Sequence, residues 1–537
     1  MMLALACVLM ALPLSAQQRT VKGTVADDTG EPVAGASVMV SGTTRGVSTD
    51  LDGNFSIEAA AGETLVVSFI GFEDTKIKAS SSPLKVVLYP DSELLEETVV
   101  VGYGVQKKAT LTGAVSAVTN SEMAVTKNEN VVNMLTGKIP GVRISQRSAQ
   151  PGEFDNAIDI RGMGGTPLIV VDGIPRDQAY FSRMDANEIE SVSVLKDASA
   201  AIYGVRAANG VILVTTKHGA DGEGKFDITF SANYGIQSFL YIPETASATD
   251  HMLLMNEKVR NAWGDAAYLN SVTPKYTWEQ IFAYSSAKNR GTNWTEELFN
   301  DTVPQSQYNV SLNGGNDRVT YFFNLGYMDQ MGAYKSGSLN YNRWNFRSNV
   351  DVKITERLKA VVQLSGYMDE KNQPFTDIWA VYKKAWTYKP TAEAYVDGDH
   401  NYPSYNSEML ESENPVAAID SDLTGYRQEK RQNLNGSLTL QYDIPGVKGL
   451  NVKGFYSYDY YTTNNTQYKR KYNLYNRTET GELESFVRNS DSYLNRSTDP
   501  NYGTVMQLSI NYANKFGDHS VSAMALYEEQ YNSWDNF

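Results

Sequence analysis

The chain has 537 residues, too many for one compact domain, and its 42% hydrophobic and 20% charged residues exclude a broadly disordered protein. A net charge of −15 argues against a nucleic-acid partner, which would need a basic face. The 34 tyrosines and 41 glycines suit interfaces and membrane β-barrels, although a tyrosine-rich soluble β protein would have the same composition.

Residues 1–16, MMLALACVLMALPLSA, predict a secretory signal peptide cleaved after Ala16, although a basic n-region is missing. Cys7, the only cysteine, lies in this segment, so the mature chain would have no thiol and no cysteine-based metal or redox site. A lipid anchor at Cys7 is the weaker alternative. No later window of 18 consecutive residues is apolar, so a helical membrane protein is not expected, whereas a membrane β-barrel would leave no such window.

Residues 17–90 are predicted to form a small β-sandwich of about seven strands, because short alternating segments such as TVKGTVAD (20–27) are separated by turn clusters. The DLDG sequence at 50–53 is interpreted as a plain turn rather than a calcium loop, since the later ligands are missing. Residues 91–103 then form a linker. It contains EETVVVGYG (96–104), whose run of β-branched residues predicts a strand. The regions on either side are each expected to form a complete domain without this strand.

Residues 104–220 mix strands and helices and predict an α+β domain. The segment 128–142 has helical spacing, PLIVVDGIP (167–175) reads as a buried strand ending in a turn, and 187–217 reads as strand, short helix, loop and apolar strand.

Residues 221–537 contain long segments that alternate apolar and polar residues, which predict nine strands of an antiparallel sheet. The strands are expected at 226–235, 307–315, 318–330, 340–352, 357–369, 433–443, 450–460, 505–514 and 520–529. In the third strand, one face is predicted to carry Val319, Tyr321, Phe323, Leu325 and Tyr327. Short connections alternate with longer ones, of which the longest are expected at roughly 236–306, 370–432 and 461–504. This pattern is typical of an outer-membrane barrel, with tight periplasmic turns and large outer loops.

Three motifs occur in order: ETVVVGYG (97–104), LIVVDGIP (168–175) and IESVSVLKDASAAIYGVRAANGVILVTTK (189–217). They resemble the TonB box and plug of the SusC/RagA family of TonB-dependent outer-membrane transporters of Bacteroidetes. The leading sandwich resembles the carboxypeptidase-regulatory-like domain of that family. The fold class expected is therefore mainly β, with an N-terminal sandwich, an α+β plug and part of a transmembrane barrel. Since such barrels close with about 22 strands, nine strands would leave open edges, and the chain is expected to be the N-terminal portion of a transporter.

The resemblance implies that Glu97, Thr98, Val99, Val100 and Val101 form a TonB box, which TonB recruits as an added strand and pulls to displace the plug. It also implies that two plug turns face the ligand, at Gly162, Gly164, Gly165, Asp172 and Gly173. Aromatic residues of the outer loops are candidates for stacking on cargo or for plain loop packing: Trp379, Tyr382, Trp386 and Tyr388.

The partners implied by the resemblance are TonB with its energising ExbB-ExbD complex, a SusD-like surface lipoprotein, outer-membrane lipid, and an oligosaccharide or peptide as cargo. Export would follow the Sec pathway. A ligand-sensing transducer or an adhesin is the alternative. Family transducers carry an extra N-terminal signalling domain, whereas this extension reads as a sandwich, so uptake is the preferred prediction.

An enzyme is not expected. The chain has no G-x-S-x-G, H-E-x-x-H or Walker motif, and GMGGTP (162–167) lacks the Gly-Lys-Ser/Thr ending of a phosphate loop. Its four histidines are scattered without partners at metal-ligand spacing: His218, His251, His400 and His519. No catalytic residue, cofactor or metal is therefore predicted.

Overall fold

The structure is a computed structural model that falls into two compact units, Met1–Ala114 and Val115–Phe537. It describes residues 19–28, 30–41, 43, 45–60, 62–69, 72, 74–80, 83–89, 98–101, 104–107, 115–196, 198–220, 224–263, 274–285, 291–406, 414–517 and 519–534. The predicted signal peptide, Cys7 and Glu97 lie outside these residues. In the described part of the chain, no helix is long and apolar enough to cross a membrane.

The first unit contains the expected sandwich. Within the described residues, this sandwich has seven strands. They are β1 (Arg19–Asp27), β2 (Ser37–Val40), β3 (Gly46–Ser48), β4 (Asn54–Ala59), β5 (Thr64–Ser68), β6 (Thr75–Lys78) and β7 (Leu84–Leu88). One sheet has the order β4-β1-β7 and the other β3-β2-β5-β6. Every second residue is buried, as with Phe55 and Ile57 in β4 or Leu65 and Val67 in β5, because successive side chains of a strand point to opposite faces.

A separate two-stranded hairpin follows the sandwich. It pairs β8 (Thr98–Val101) with β9 (Gly104–Lys107) in antiparallel register, from Thr98 opposite Lys107 to Val101 opposite Gly104. The valine run is therefore a strand, as predicted. Its described backbone pairs with β9 and with neither sheet of the sandwich.

The second unit begins with the α+β domain, whose strands form a five-stranded sheet and a two-stranded sheet within the described residues. The strands are β10 (Val115–Thr119), β11 (Val142–Gln146), β12 (Asn156–Ile160), β13 (Leu168–Val171), β14 (Ile174–Arg176), β15 (Ile189–Leu195) and β16 (Val211–Thr216). The larger sheet has the order β10-β15-β16-β13-β14, and β11 pairs with β12. Its central strands β15 and β16 are almost entirely buried, which explains their near-continuous apolar sequence.

The helices of this domain are short. They are α1 (Asn120–Ala124), α2 (Val131–Met134), α3 (Gln178–Ser182) and two 3₁₀ segments, Ala186–Glu188 and Ala198–Ala207. The helical spacing of 128–142 overestimates α2, because the chain turns after Met134 and Gly137 adopts a positive φ of 76°. The apolar residues that suggested the longer helix still enter the core, including Val132, Leu135 and Ile139.

Nine long strands then form one antiparallel sheet in the described residues, as predicted. They are β17 (Phe226–Ser238), β18 (Thr302–Gly315), β19 (Val319–Met331), β20 (Asn340–Lys353), β21 (Leu358–Pro374), β22 (Gly425–Asp443), β23 (Leu450–Lys469), β26 (Tyr493–Phe516) and β27 (His519–Trp534). Each pairs with the next, and β17 and β27 are the two edges, so the described sheet does not close into a barrel.

This sheet has its polar face buried and its apolar face exposed. In β19, Phe323 and Leu325 are exposed on the predicted face, while Phe322, Asn324 and Gly326 on the other face are buried. Other strands of the sheet show the same pattern. Exposed apolar residues include Val310, Leu364, Leu434, Leu438, Tyr456 and Leu508, and buried polar residues include Asn309, Arg347, Asn349, Gln363, Asp369 and Asn435. Such a pattern is typical of a barrel wall with lipid outside and polar contents inside.

Short turns lie at one end of the sheet, here called the short-turn end, at 316–318, 354–357, 444–449 and Gly517. Longer connections lie at the opposite, long-loop end. They carry α4 (Ala248–Trp263), α5 (Trp278–Ala283), α6 (Trp294–Leu298), α7 (Ile378–Thr387), the 3₁₀ turn Val396–Gly398, α8 (Pro415–Ala418), α9 (Ser421–Thr424) and a hairpin of β24 (Tyr472–Arg477) and β25 (Leu483–Arg488).

The third long connection predicted, 461–504, is wrong in extent. Strands β23 and β26 continue well into it and pair with each other as far as Lys469 opposite Tyr493. These extensions are polar on both faces, as in TTNNTQYK, so apolar alternation could not reveal them.

Candidate functional site

The α+β domain lies against the polar face of the nine-stranded sheet, and charged side chains join the two. Arg183, which follows α3, donates from Nε to Oδ2 of Asp369 in β21 at 2.8 Å, and both side chains are almost fully buried. The hydroxyl of Tyr341 donates to the same carboxylate oxygen at 2.9 Å. The ring of Phe154 lies 4.8 Å from the Arg183 guanidinium carbon, so the cation also contacts an aromatic face.

A second buried contact centres on Arg347 of β20. Its Nε donates to Oε2 of Glu188 at 3.0 Å, and its Nη1 lies 3.6 Å from Oδ2 of Asp172. Burial raises the pKa of Glu188 to about 7, although the charge of Arg347 and a hydrogen bond from it act in the opposite direction.

Polar contacts continue where β16 leads toward the first strand of the sheet. The Asn349 Nδ2 donates to Thr216 Oγ1 at 2.9 Å and to the Lys217 carbonyl at 2.7 Å. Nδ1 of His218 lies 2.8 Å from Oδ2 of Asp351, near the short-turn end. Burial lowers the pKa of His218, but the hydrogen bond and charge of Asp351 outweigh it, so this pKa is raised above its ordinary value.

The turn at Asp172-Gly173 links β13 to β14, and both residues have positive φ, 49° and 85°. An Asp-Gly pair suits such a two-residue hairpin. The Asp172 carboxylate accepts hydrogen bonds from the backbone N and Oγ1 of Thr216 at 2.9 and 2.7 Å. With Arg347 nearby, this carboxylate is engaged inside the protein, a role that the sequence did not reveal.

The other predicted plug turn contains Gly162 and Gly164, both with positive φ, and Gly165, which lies against the side chain of Asn209. These glycines therefore shape a tight loop between β12 and β13. The ligand-facing role given to both turns stays a prediction.

At the long-loop end, a cavity of about 250 Å³ lies between the plug loop 147–151 and the long connections. Trp379 and Tyr382 line it, whereas Trp386 and Tyr388 pack within the neighbouring apolar cluster. Trp386 Nε1 also donates to the Pro243 carbonyl at 3.2 Å. The structure thus separates the four predicted aromatics into two that border the cavity and two that hold the loops together.

Sequence reasoning missed the loop 147–151 and the aromatic residues Phe239 and Phe299, which also line the cavity. The loop connects β11 and β12, which pair from Val142 opposite Ile160 to Gln146 opposite Asn156. This pairing brings the two ends of the loop together. A signal was available in the turn pair Pro151-Gly152, but nothing in the sequence indicated which surface the loop would face.

Among the residues that the structure describes, no group of three or more His, Cys, Asp or Glu side chains is arranged to hold a metal ion.

Comparisons with known proteins agree with this architecture. Residues 107–211 match the TonB-dependent receptor plug domain, and residues 21–101 match the CarboxypepD_reg-like domain. The chain is 34% identical to the TonB-dependent receptor SusC of Bacteroides thetaiotaomicron over 415 residues, which cover 74% of this chain and 38% of SusC. It is 30% identical to the TonB-dependent receptor P26 of Formosa agariphila over 459 residues, covering 83% of this chain and 43% of that receptor.

The fold is also similar to that of the RagAB peptide transporter, with a TM-score of 0.62 over 80% of this chain and 48% of that chain, at 22% sequence identity. The chain thus spans less than half the length of each of these relatives. A plug domain seated on the polar face of a long-stranded antiparallel sheet defines a TonB-dependent receptor. The two domain matches and the similarity to SusC and RagAB agree with the resemblance to the SusC/RagA family found in the sequence.

Proposed function

We propose that this chain is part of an outer-membrane importer, in which TonB pulls on residues 97–101 and thereby displaces the plug. The observation that carries the proposal is the polar character of the plug–sheet contact. Buried ion pairs contribute little net stability, because their attraction is offset by the loss of hydration. An interface built on such pairs can open when water re-enters it, whereas an apolar core of equal area resists opening.

The strand β8 supports the pulling step. In the described residues its backbone pairs only with β9, which leaves its other edge available for strand addition. Binding by strand addition depends on main-chain hydrogen bonds, so a run of valines suffices if it favours an extended backbone. The strand precedes the plug directly along the chain, so a force on it would reach the plug.

Localisation in the outer membrane is supported by the exposed apolar face of the nine-stranded sheet, which suits contact with lipid. The long-loop end would then face outward, because outer-membrane barrels place their tight turns on the periplasmic side. Export through the Sec pathway, with removal of residues 1–16, belongs to the same proposal.

The proposed cargo is an oligosaccharide or a peptide, delivered by a SusD-like lipoprotein at the long-loop end. Exposed apolar residues at that end support a partner protein there: Leu240, Tyr241, Leu254, Trp278 and Phe282. The name of the RagAB relative refers to peptide transport, which supports a peptide as one of the two cargo classes.

The experiment compares two substitutions in the receptor produced in its native cells. Val100→Pro removes a backbone donor from the proposed added strand, whereas Val100→Thr keeps the backbone and the β-branched shape. We expect uptake of cargo to stop with Val100→Pro and to continue with Val100→Thr, while surface binding survives in both. Unchanged uptake with Val100→Pro would instead favour the sensing or adhesion function.

A further inference from the structure

The cavity at the long-loop end is almost entirely apolar on the side of the long connections. Its lining on the side of the long connections consists of Phe239, Phe299, Ala333, Tyr334, Leu339, Ile378, Trp379 and Tyr382. The hydroxyl of Tyr334 is already used, because it donates to the Ile378 carbonyl at 2.9 Å. Rings of Phe299, Tyr334, Tyr382 and Trp379 contact one another in a chain with centroid distances of 5.2 to 6.0 Å, so the walls are held in place.

The side formed by the long connections disfavours a sugar that is fully enclosed there. A sugar ring presents hydroxyl groups on nearly every carbon, and a hydroxyl that is buried without a hydrogen-bond partner loses its hydration without compensation. The wall offers aromatic and aliphatic surface but few free polar atoms to meet such groups. An apolar group, by contrast, gains free energy from every part of its surface that the wall removes from water.

The size of the cavity suits one side chain. An apolar cavity of about 150 Å³ is enough to bind benzene, and whole small-molecule sites begin at about 300 Å³. At about 250 Å³, this cavity has room for one aromatic or branched aliphatic side chain with its connecting carbon atoms.

The plug side of the cavity supplies the polar groups, Arg147, Ser148 and Gln150. Arg147 pairs with Asp155 at 3.5 Å, but both side chains are more than half exposed. An ion pair so exposed is weak, so its guanidinium can turn to a ligand carboxylate at little cost. The site therefore combines an apolar pocket with a cation at its mouth.

We propose that this cavity binds one apolar or aromatic side chain of a peptide, with Arg147 binding a carboxylate of the same peptide. The inference rests on the proposed import function and narrows its cargo from two classes to one. It also gives the plug loop 147–151 a part in detecting cargo, because this loop forms one side of the cavity.

The test measures binding of short probes to the full-length receptor purified from the outer membrane, by titration calorimetry. The probes are Gly-Gly-Gly-Phe, Gly-Gly-Gly-Ser and maltotetraose. We expect the Phe peptide to bind at least about tenfold more tightly than the Ser peptide, as loss of a well-packed aromatic anchor typically costs that much. Maltotetraose should not bind at this site.

Two variants address the site itself. Ala149→Trp, at an exposed position of the plug loop, should fill the cavity and remove the preference for Phe. Trp379→Ala should weaken binding of the Phe peptide by about fivefold or more. Trp344→Ala is the matched control, since Trp344 is an exposed tryptophan on the apolar face of β20 and does not line the cavity. This control should leave the affinities for both peptides unchanged.

Equal binding of the two peptides, or binding of maltotetraose that Ala149→Trp abolishes, would overturn the proposal while leaving import intact. If the Phe preference is found but uptake persists in the Val100→Pro variant, the proposed import function is contradicted and the proposed side-chain site is supported.

Discussion

The second unit contains two interfaces of different character. The plug meets the sheet through small apolar contacts, such as Ile174 with Phe455, and through ion pairs, of which Arg183–Asp369 and Arg347–Glu188 are deeply buried. The long connections meet one another through an apolar cluster that includes Leu298, Phe299 and Val381. Charged pairs are costly to break one side at a time yet contribute little as pairs, whereas apolar contacts contribute in proportion to their area. Under the proposed import function, this difference would let the plug leave the sheet while the long connections keep their shape.

The largest effect is expected from Asp369→Ala, which would leave Arg183 buried without its counter-ion. Breaking one side of such a pair typically costs about 3–5 kcal/mol. We expect the amides of the plug to exchange hydrogen much faster. Exchange in the cluster around Phe299 should not change. The triple variant Arg183→Met, Tyr341→Phe and Asp369→Leu, which also removes the hydroxyl that donates to Asp369, should recover most of the protection from exchange. A triple variant as unstable as Asp369→Ala would show that these buried polar contacts themselves hold the plug.

A smaller effect is expected from Phe299→Leu in the apolar cluster. The side chain is almost fully buried and contacts Tyr334, Tyr382 and Trp386. Loss of these ring contacts should cost about 1–2 kcal/mol, measured as a lower thermal unfolding midpoint. The hydrogen-exchange rates of the plug amides should not change. If those rates rose as well, the two interfaces would be coupled, and the contrast between them would fail.

The polar interface should depend on pH and the apolar one should not. The pKa of Glu188 is raised from its ordinary 4.5 to about 7, so docking favours its protonated form, and this contribution is lost as pH rises toward and through 7. The raised pKa of His218 acts in the same direction, since its contribution is present below 6.5 and is lost at higher pH. The protection factors of plug amides, which are corrected for the intrinsic rise of exchange with pH, should therefore be lower at pH 8 than at pH 6. Glu188→Gln should remove much of that difference, while the protection factors of the apolar cluster should not depend on pH.

The smallest effect is expected from Asp155→Ala, which removes the exposed partner of Arg147. Exposed ion pairs are typically worth less than about 1 kcal/mol, so the unfolding midpoint should barely change. This variant sharpens the comparison, because the same chemical change at Asp369 is expected to be severe. Similar effects at both positions would mean that burial does not govern these pairs.

The sequence predicted the parts that repeat a local pattern. Alternating residues gave all nine strands of the sheet, because each strand has an apolar and a polar face, and the turn clusters gave the sandwich. Strand ends were missed where both faces become polar, as in β23 beyond Tyr461. The partner of Arg183 could not be predicted, because Asp369 lies 186 residues away and only the docking of plug on sheet brings them together.

The central claim is that import requires the plug to leave the sheet, and a reversible cross-link tests it most directly. A Cβ built on Gly326 would lie 3.3 Å from Cγ of Asp185, close enough for cysteines at the two positions to form a disulfide. In the Asp185→Cys, Gly326→Cys receptor, we expect oxidation to stop cargo uptake without weakening surface binding, and reduction to restore uptake. Uptake that continues at the normal rate with the disulfide fully formed would contradict the account.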